Sequence, residues 1–276
     1  FNTLDIMVKN EIISEDSLLN RYSALMSIID YNLKKNDKKS KFYQKTSDAI
    51  DKKIVSYIDC GKIENIFQPK FTISNNDTDF VNRLYNILSK QNCTDTEFHF
   101  QVSKRLHELL PSSSSASKLG KICIKRKEFN QAIEYFDMAI EIEEDSDKRA
   151  KYLLEKADAY RISKNYSSAI LTAKQATDLK KNWGEAFITI GNIYVAGAGN
   201  CSSDFEKSTV YWVAVDYFTK ALSDELTNER ARKSINTYSK YFPTKEECFF
   251  NGSLQSGDSY IVECWINKGT TVRTSD

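Results

Sequence analysis

LGKICIKRKEFNQAIEYFDMA, residues 119–139, lies over KADAYRISKNYSSAILTAKQA, residues 156–176, without a gap. Gly120 falls on Ala157, Phe129 on Tyr166, Ala132 on Ala169 and Ala139 on Ala176, each a step of 37 residues. A further step, of 34 residues, carries Ala157 to Gly191 and Tyr160 to Tyr194. Apolar residues recur at helical spacing through each stretch, so each reads as two antiparallel helices, A then B. A small residue at Gly120, Ala157 or Gly191 lets helix B approach helix A closely. Ala132 and Ala169 do the same from the other side, and Phe129 and Tyr166 plug the joint. One such pair cannot bury its apolar face alone, so neighbours must stack.

This spacing resembles the tetratricopeptide repeat (TPR), a helical hairpin of about 34 residues. Residues 113–183 resemble two consecutive units, and 184–222 a third. Leu119, Gly120, Phe129, Ala132, Phe136 and Ala139 fall on the family's motif positions. The first unit carries three extra residues around 144–148, and the second has Lys156 where the motif prefers Leu. Twenty residues separate Tyr194 from Ala214 where the motif expects nine. The added segment, 195–208, includes GAGNCSS and reads as a loop. A Gly-rich loop of this kind is either a binding element or a tolerated insertion.

The flanks extend the helical reading. Leu18, Tyr22, Leu25, Ile28, Ile29 and Leu33 follow one another at helical spacing. Further helices are predicted over 40–58, over 62–67 ending near Pro69, and as a pair over 77–89 and 94–110 closed by Pro111. A capping helix is predicted over 228–241, stopped by Pro243. Residues 258–266 then have strand character, with 267–269 as a turn and 270–273 as the return strand. The expected architecture is all-α: a TPR-like right-handed α-solenoid of about 12 helices with a small C-terminal β-hairpin. It divides into a degenerate N-terminal region (1–111), a three-unit array (112–242) and a C-terminal cap (243–276).

Composition excludes several classes. Lys and Arg total 39 against 38 Asp and Glu, giving a formal net charge of +1. That balance provides no general attraction to nucleic acid. No apolar run is long enough to span a bilayer. The chain opens on Phe1, as a mature or trimmed form would. No phosphate-binding glycine loop or nucleophile-elbow string occurs. His99 and His107 lie two turns apart on one predicted helix, and read as a partly exposed, non-functional pair. Lys125-Arg126-Lys127 and Lys180-Lys181 read as solvated helix ends. Asn76-Asp77-Thr78 and Asn251-Gly252-Ser253 match glycan acceptor triplets, which are common by chance. No metal or cofactor is expected.

In a TPR stack the A helices line the concave face. The helix phase places Ser117, Lys121 and Ile124 there from the first unit. The second unit offers Lys151, Leu154, Asp158 and Arg161, and the third Glu185, Ile188, Asn192 and Val195. The family's terminal-carboxylate clamp is not reproduced: Lys121 stands where it expects Asn, and Asp158 also breaks it. The expected role is a scaffold binding a protein or peptide, without catalysis. The competing readings are a hydrolase-like enzyme using the segment from Gly197 to Ser203, and a structural subunit with Trp212 or Trp265 buried against a partner.

Six cysteines occur, and none forms a CxxC pair. Cys123 falls on a packed face. Cys60 could meet Cys93, and Cys248 could meet Cys264; reduced thiols are the alternative. The chain as a whole also resembles exported TPR proteins of the Bacteroidetes type. That resemblance rests on IFQPKF (66–71), Cys93-Thr94-Asp95, Phe205-Glu206-Lys207, Val210-Tyr211-Trp212, Gly257-Asp258-Ser259-Tyr260, Trp265-Ile266-Asn267 and Thr270-Thr271-Val272-Arg273. It implies a periplasmic or cell-envelope location, and it favours the disulfides because the periplasm is oxidising.

Overall fold

The computed structural model describes Ile6, Asn10 and residues 14–35, 38–54, 57 and 59–275. The described residues contain thirteen α-helices and one two-stranded antiparallel sheet. They fall into two compact units, Phe1–Pro111 and Ser112–Asp276.

The first unit holds α1 (Glu15–Lys34), α2 (Ser40–Ile54), α3 (Cys60–Ser74), α4 (Thr78–Lys90) and α5 (Glu97–Leu109). The helix predicted to stop near Pro69 instead runs through it to Ser74. Packing on both sides of the proline holds it. Phe67 meets the Tyr22 ring edge-on and Phe71 meets Phe98 likewise. A disulfide joins Cys60, at the start of α3, to Cys93, in the turn after α4. His99 is buried rather than partly exposed, stacked on Tyr85. The predicted second helix ends at Ile54, and the last part of its 40–58 span lies largely outside the described residues.

The second unit holds three helical hairpins. These are α6 (Ser113–Lys125) with α7 (Phe129–Ile142), α8 (Ser146–Ile162) with α9 (Tyr166–Leu179), and α10 (Gly184–Gly197) with α11 (Asp204–Lys220). Sequence fixes their ends locally. Ser112 and Ser115 form a capping box on α6, and the Asp145 side chain caps α8. Lys127 and Lys164 adopt left-handed φ of 62° and 64° in the first two of the three A–B turns. After each, a backbone N–H reaches back five residues, Glu128 to the Cys123 carbonyl and Asn165 to the Tyr160 carbonyl. This is the Schellman helix ending. It recurs in the first unit at Asn92 (φ 55°), where Cys93 bonds back to Leu88. The α4–α5 pair therefore turns as the later hairpins do.

Small residues set the hairpin spacing. A Cβ added at Gly120 would lie 2.9 Å from the Phe136 ring, and one at Gly191 would lie 2.5 Å from the Phe218 ring. Both rings are fully buried. In the middle hairpin the corresponding residues are Ala157 and Ala173, both fully buried in the same core. The three A-helix positions are thus equivalent, twice as Gly beneath Phe and once as Ala with Ala.

The segment predicted as a loop over 195–208 is mostly helical. Helix α10 continues to Gly197, a 3-10 turn covers Ala198–Asn200, and α11 begins at Asp204. Helices α7 and α9 begin three residues before Ala132 and Ala169, whereas α11 begins ten residues before Ala214. A capping box between Ser203 and Glu206 fixes that early start.

The added turns of α11 seat the C-terminal segment, which follows α12 (Asn228–Tyr238) and α13 (Lys245–Phe250). Strands β1 (Ser259–Val262) and β2 (Lys268–Thr271) pair with Tyr260 opposite Thr270. Lys268 and Gly269, expected in the turn, lie in β2, so the turn is 263–267. An isolated hairpin is marginal in water, and this one packs on α11. Phe205 and Trp212 both meet the Tyr260 ring edge-on. The Trp212 indole N–H donates to the Arg273 carbonyl at 2.7 Å. Arg273 donates to the Trp212 carbonyl at 2.9 Å and to the Asp216 carboxylate at 2.6 Å. Cys264 is bonded to Cys201, not to Cys248, which is a buried free thiol. The extra segment beside Cys201 brings it to the hairpin turn, while Cys248 is fully buried on α13.

Candidate functional site

Helices α6, α8 and α10 lie side by side as the A helices of successive hairpins, and an open groove follows them. Lys121, Ile124, Lys151, Leu154, Asp158 and Glu185, all expected on this face, line one cavity of about 390 Å³. Arg161, Asn192 and Val195 line a second of about 300 Å³. Asp158 and Thr189 border both, so the two cavities adjoin along this face. Two expectations fail. Ile188 is only 6% exposed and belongs to the core; its neighbour Thr189 takes the groove position. The groove side of α10 carries Glu185, Thr189, Asn192 and Ala196, a stripe at steps of four, three and four residues. Ser117 is buried and donates to Glu155 at 2.5 Å, so it supports the site from behind.

Six lining residues were not foreseen: Thr189 and Ala196 on α10, Phe136, Glu155, Trp183 and, at the far end, Tyr238. Phe136 stands on a B helix, yet its ring reaches the underside of the groove floor because Gly120 has no side chain in the way. Trp183 precedes α10 at its N-cap position. That cap has no side-chain bond of its own; the Gly184 N–H is satisfied by Asp224 at 2.9 Å. Tyr238 lies at the edge of an aromatic stack, parallel to Tyr211 at 5.9 Å and to Phe218 at 5.7 Å.

The floor is apolar: Ile124, Leu154 and Trp183, with the buried Phe136 ring directly beneath. The rim is charged, and its acids are paired. Lys121 bridges Glu155 at 2.7 Å, Arg161 bridges Asp158 at 2.7 Å, and Arg230 pairs with Glu185. The Glu185 hydrogen bond holds the Arg230 guanidinium above its ordinary pKa. Such a surface can take an apolar side chain on the floor and hydrogen-bond or charge partners along the rim.

Other candidates are taken up by the fold. The segment from Gly197 to Ser203 serves the cap: the Trp265 indole packs over Gly197 and donates to its carbonyl at 2.9 Å. Trp212 is fully buried within the chain rather than exposed for a partner, and Trp265 is half-buried between Tyr166 and Tyr194. Among the described residues no cluster of three or more His, Cys, Asp or Glu side chains could hold a metal ion. Among the same residues no helix is long and apolar enough to cross a membrane.

Repeated hairpins with equivalent small residues, the same left-handed turn and a groove along their first helices define a TPR-type α-solenoid with a C-terminal β-hairpin. Comparison with solved structures gives the same fold. The C-terminal part of a TPR repeat-containing protein from Cytophaga hutchinsonii matches 91% of this chain and 88% of its own, at 16% identity and a TM-score of 0.51. MamA matches 68% of this chain and 89% of its own, at 16% identity and a TM-score of 0.47. YrrB, described as a TPR protein with an unusual peptide-binding site, matches 63% and 82%, at 14% identity and a TM-score of 0.41. No family model and no curated protein matches the sequence. At 16% identity the likeness to the Cytophaga protein is one of fold alone.

Proposed function

We propose that this chain is a non-catalytic recognition scaffold whose α6–α8–α10 groove holds a segment of another protein. One observation carries the reading: the first helices of three consecutive hairpins, α6, α8 and α10, together line one open cavity with an apolar floor and a charged rim. Surface apolar patches rimmed by polar groups mark interaction sites. The open form suits an extended or helical guest, as in helix-in-groove and extended-peptide recognition. We further place the protein in the bacterial cell envelope, as an exported TPR protein of the Bacteroidetes type. The two disulfides support that reading, because such bonds persist in oxidising compartments.

Peptides selected from a random displayed library on the immobilised chain test the groove. Their affinities, measured by fluorescence anisotropy, are expected to fall at least tenfold in a Lys121→Ala/Asp158→Ala/Arg161→Ala variant that retains its thermal midpoint. Unchanged affinity rules the groove out. For the location, fractionation of cells producing the native gene product is expected to recover it from the envelope; recovery from the cytosol with all six cysteines reduced refutes the placement.

A further inference from the structure

The groove's charges are unevenly spent, and this identifies the kind of segment that fits it. The inference rests on the groove reading above and adds the guest's chemistry. Each acidic side chain lining the cavity already has a cationic partner: Glu155 has Lys121, Asp158 has Arg161, and Glu185 has Arg230. Lys151 also lines the cavity, is exposed, and has no ion pair among the described residues. It stands one helical turn before Leu154 on α8, beside the apolar floor. A basic guest would have to displace Lys121, Arg161 or Arg230 to find a carboxylate. An acidic guest finds an ammonium group that no carboxylate of the described residues already holds.

We propose that the guest is an acidic–apolar peptide segment, with a large apolar side chain on the Ile124–Leu154–Trp183 floor and an Asp or Glu carboxylate paired with Lys151. One helical turn is about 5.4 Å, and two residues of extended chain span about 6.7 Å. The guest's acid and its apolar anchor therefore stand three or four residues apart if it is helical, and two apart if it is extended. The apolar anchor supplies affinity, while the carboxylate sets orientation and rejects basic sequences.

Random displayed 12-residue peptides, panned in parallel on the wild-type chain and on Lys151→Glu, test this. Lys151 is exposed, so the substitution leaves the core untouched, and equal thermal midpoints confirm it. Wild-type selections are expected to enrich an apolar residue with an acid at one of those spacings. The Lys151→Glu selections are expected to lose the acid and gain Lys or Arg there. A synthetic peptide from the wild-type pool is expected to bind Lys151→Glu on the order of tenfold more weakly, with the loss shrinking in high salt. Its Asp/Glu→Lys counterpart should recover affinity for the variant. Enriched peptides that need the groove but show no acid, or that bind both proteins equally, overturn the acidic guest and leave the groove standing. Failure to enrich any groove-dependent peptide overturns both.

Discussion

A single methyl group at Gly191 tests the packing on which the hairpin array depends. Gly191 lies within α10, where replacing Gly by Ala favours the helix by about 1 kcal/mol. The new Cβ would stand 2.5 Å from one Phe218 ring carbon and 2.8 Å from two others. Carbon atoms prefer about 3.5–4.0 Å. The ring is fully buried, so it cannot swing into solvent. Overpacking of this kind costs about 1–3 kcal/mol, and a clash this deep belongs at the upper end. Gly191→Ala is therefore expected to destabilise the chain by about 1–2 kcal/mol net. Gly120→Ala, with a 2.9 Å approach to Phe136, is expected to come out near zero as clash and helix propensity offset. Gly199→Ala meets nothing within 4 Å and serves as the neutral control. Urea unfolding followed by circular dichroism measures all three. A Phe218→Leu background should reduce the cost of Gly191→Ala, because the two sites share one contact. Stabilisation by Gly191→Ala equal to that from an unconstrained helix position would refute close A–B approach at this point.

Three further outcomes are expected. Thiol counting on denatured, unreduced protein should find two free thiols, Cys123 and Cys248, and six after reduction; six before reduction would refute both disulfides. Cys201→Ser with Cys264→Ser should lower stability by up to about 4 kcal/mol through lost loop constraint, read as a lower urea midpoint and faster proteolysis of the 258–275 tail. Burial pushes the Cys123 thiol from 9.0 up to about 11, so its contribution to stability is complete below pH 9 and is lost as pH rises toward 11. The Cys123→Ala chain should accordingly lose less stability between those pH values than the wild type, in urea titrations at each pH.

Much of the array was legible because close helix packing demands small residues at fixed places, and Gly120, Ala157 and Gly191 display that demand at repeat spacing. The groove followed from the same phase, with Lys121, Lys151, Asp158 and Glu185 on exposed turns of three A helices. Ile188 was misplaced because α10 is apolar on nearly every side, and periodicity alone does not separate its core face from its groove face. Phe136 was hidden for a different reason: a B-helix residue reaches the groove only through the gap left at Gly120, a tertiary effect. The segment around Cys201 looked like a loop from its Gly, Asn and Ser content. Yet the Ser203-x-x-Glu206 spacing already announced a helix start at Asp204. Cysteine pairing is not readable from spacing, and Cys201 found Cys264 only because the lengthened α11 carries the hairpin.

The groove is tested most directly by amide chemical-shift mapping of the labelled chain titrated with a library-selected peptide. Perturbations are expected to trace Lys121, Ile124, Lys151, Leu154, Asp158 and Thr189 along α6, α8 and α10. Perturbations confined to the opposite faces of α7, α9 and α11 would contradict recognition through the groove.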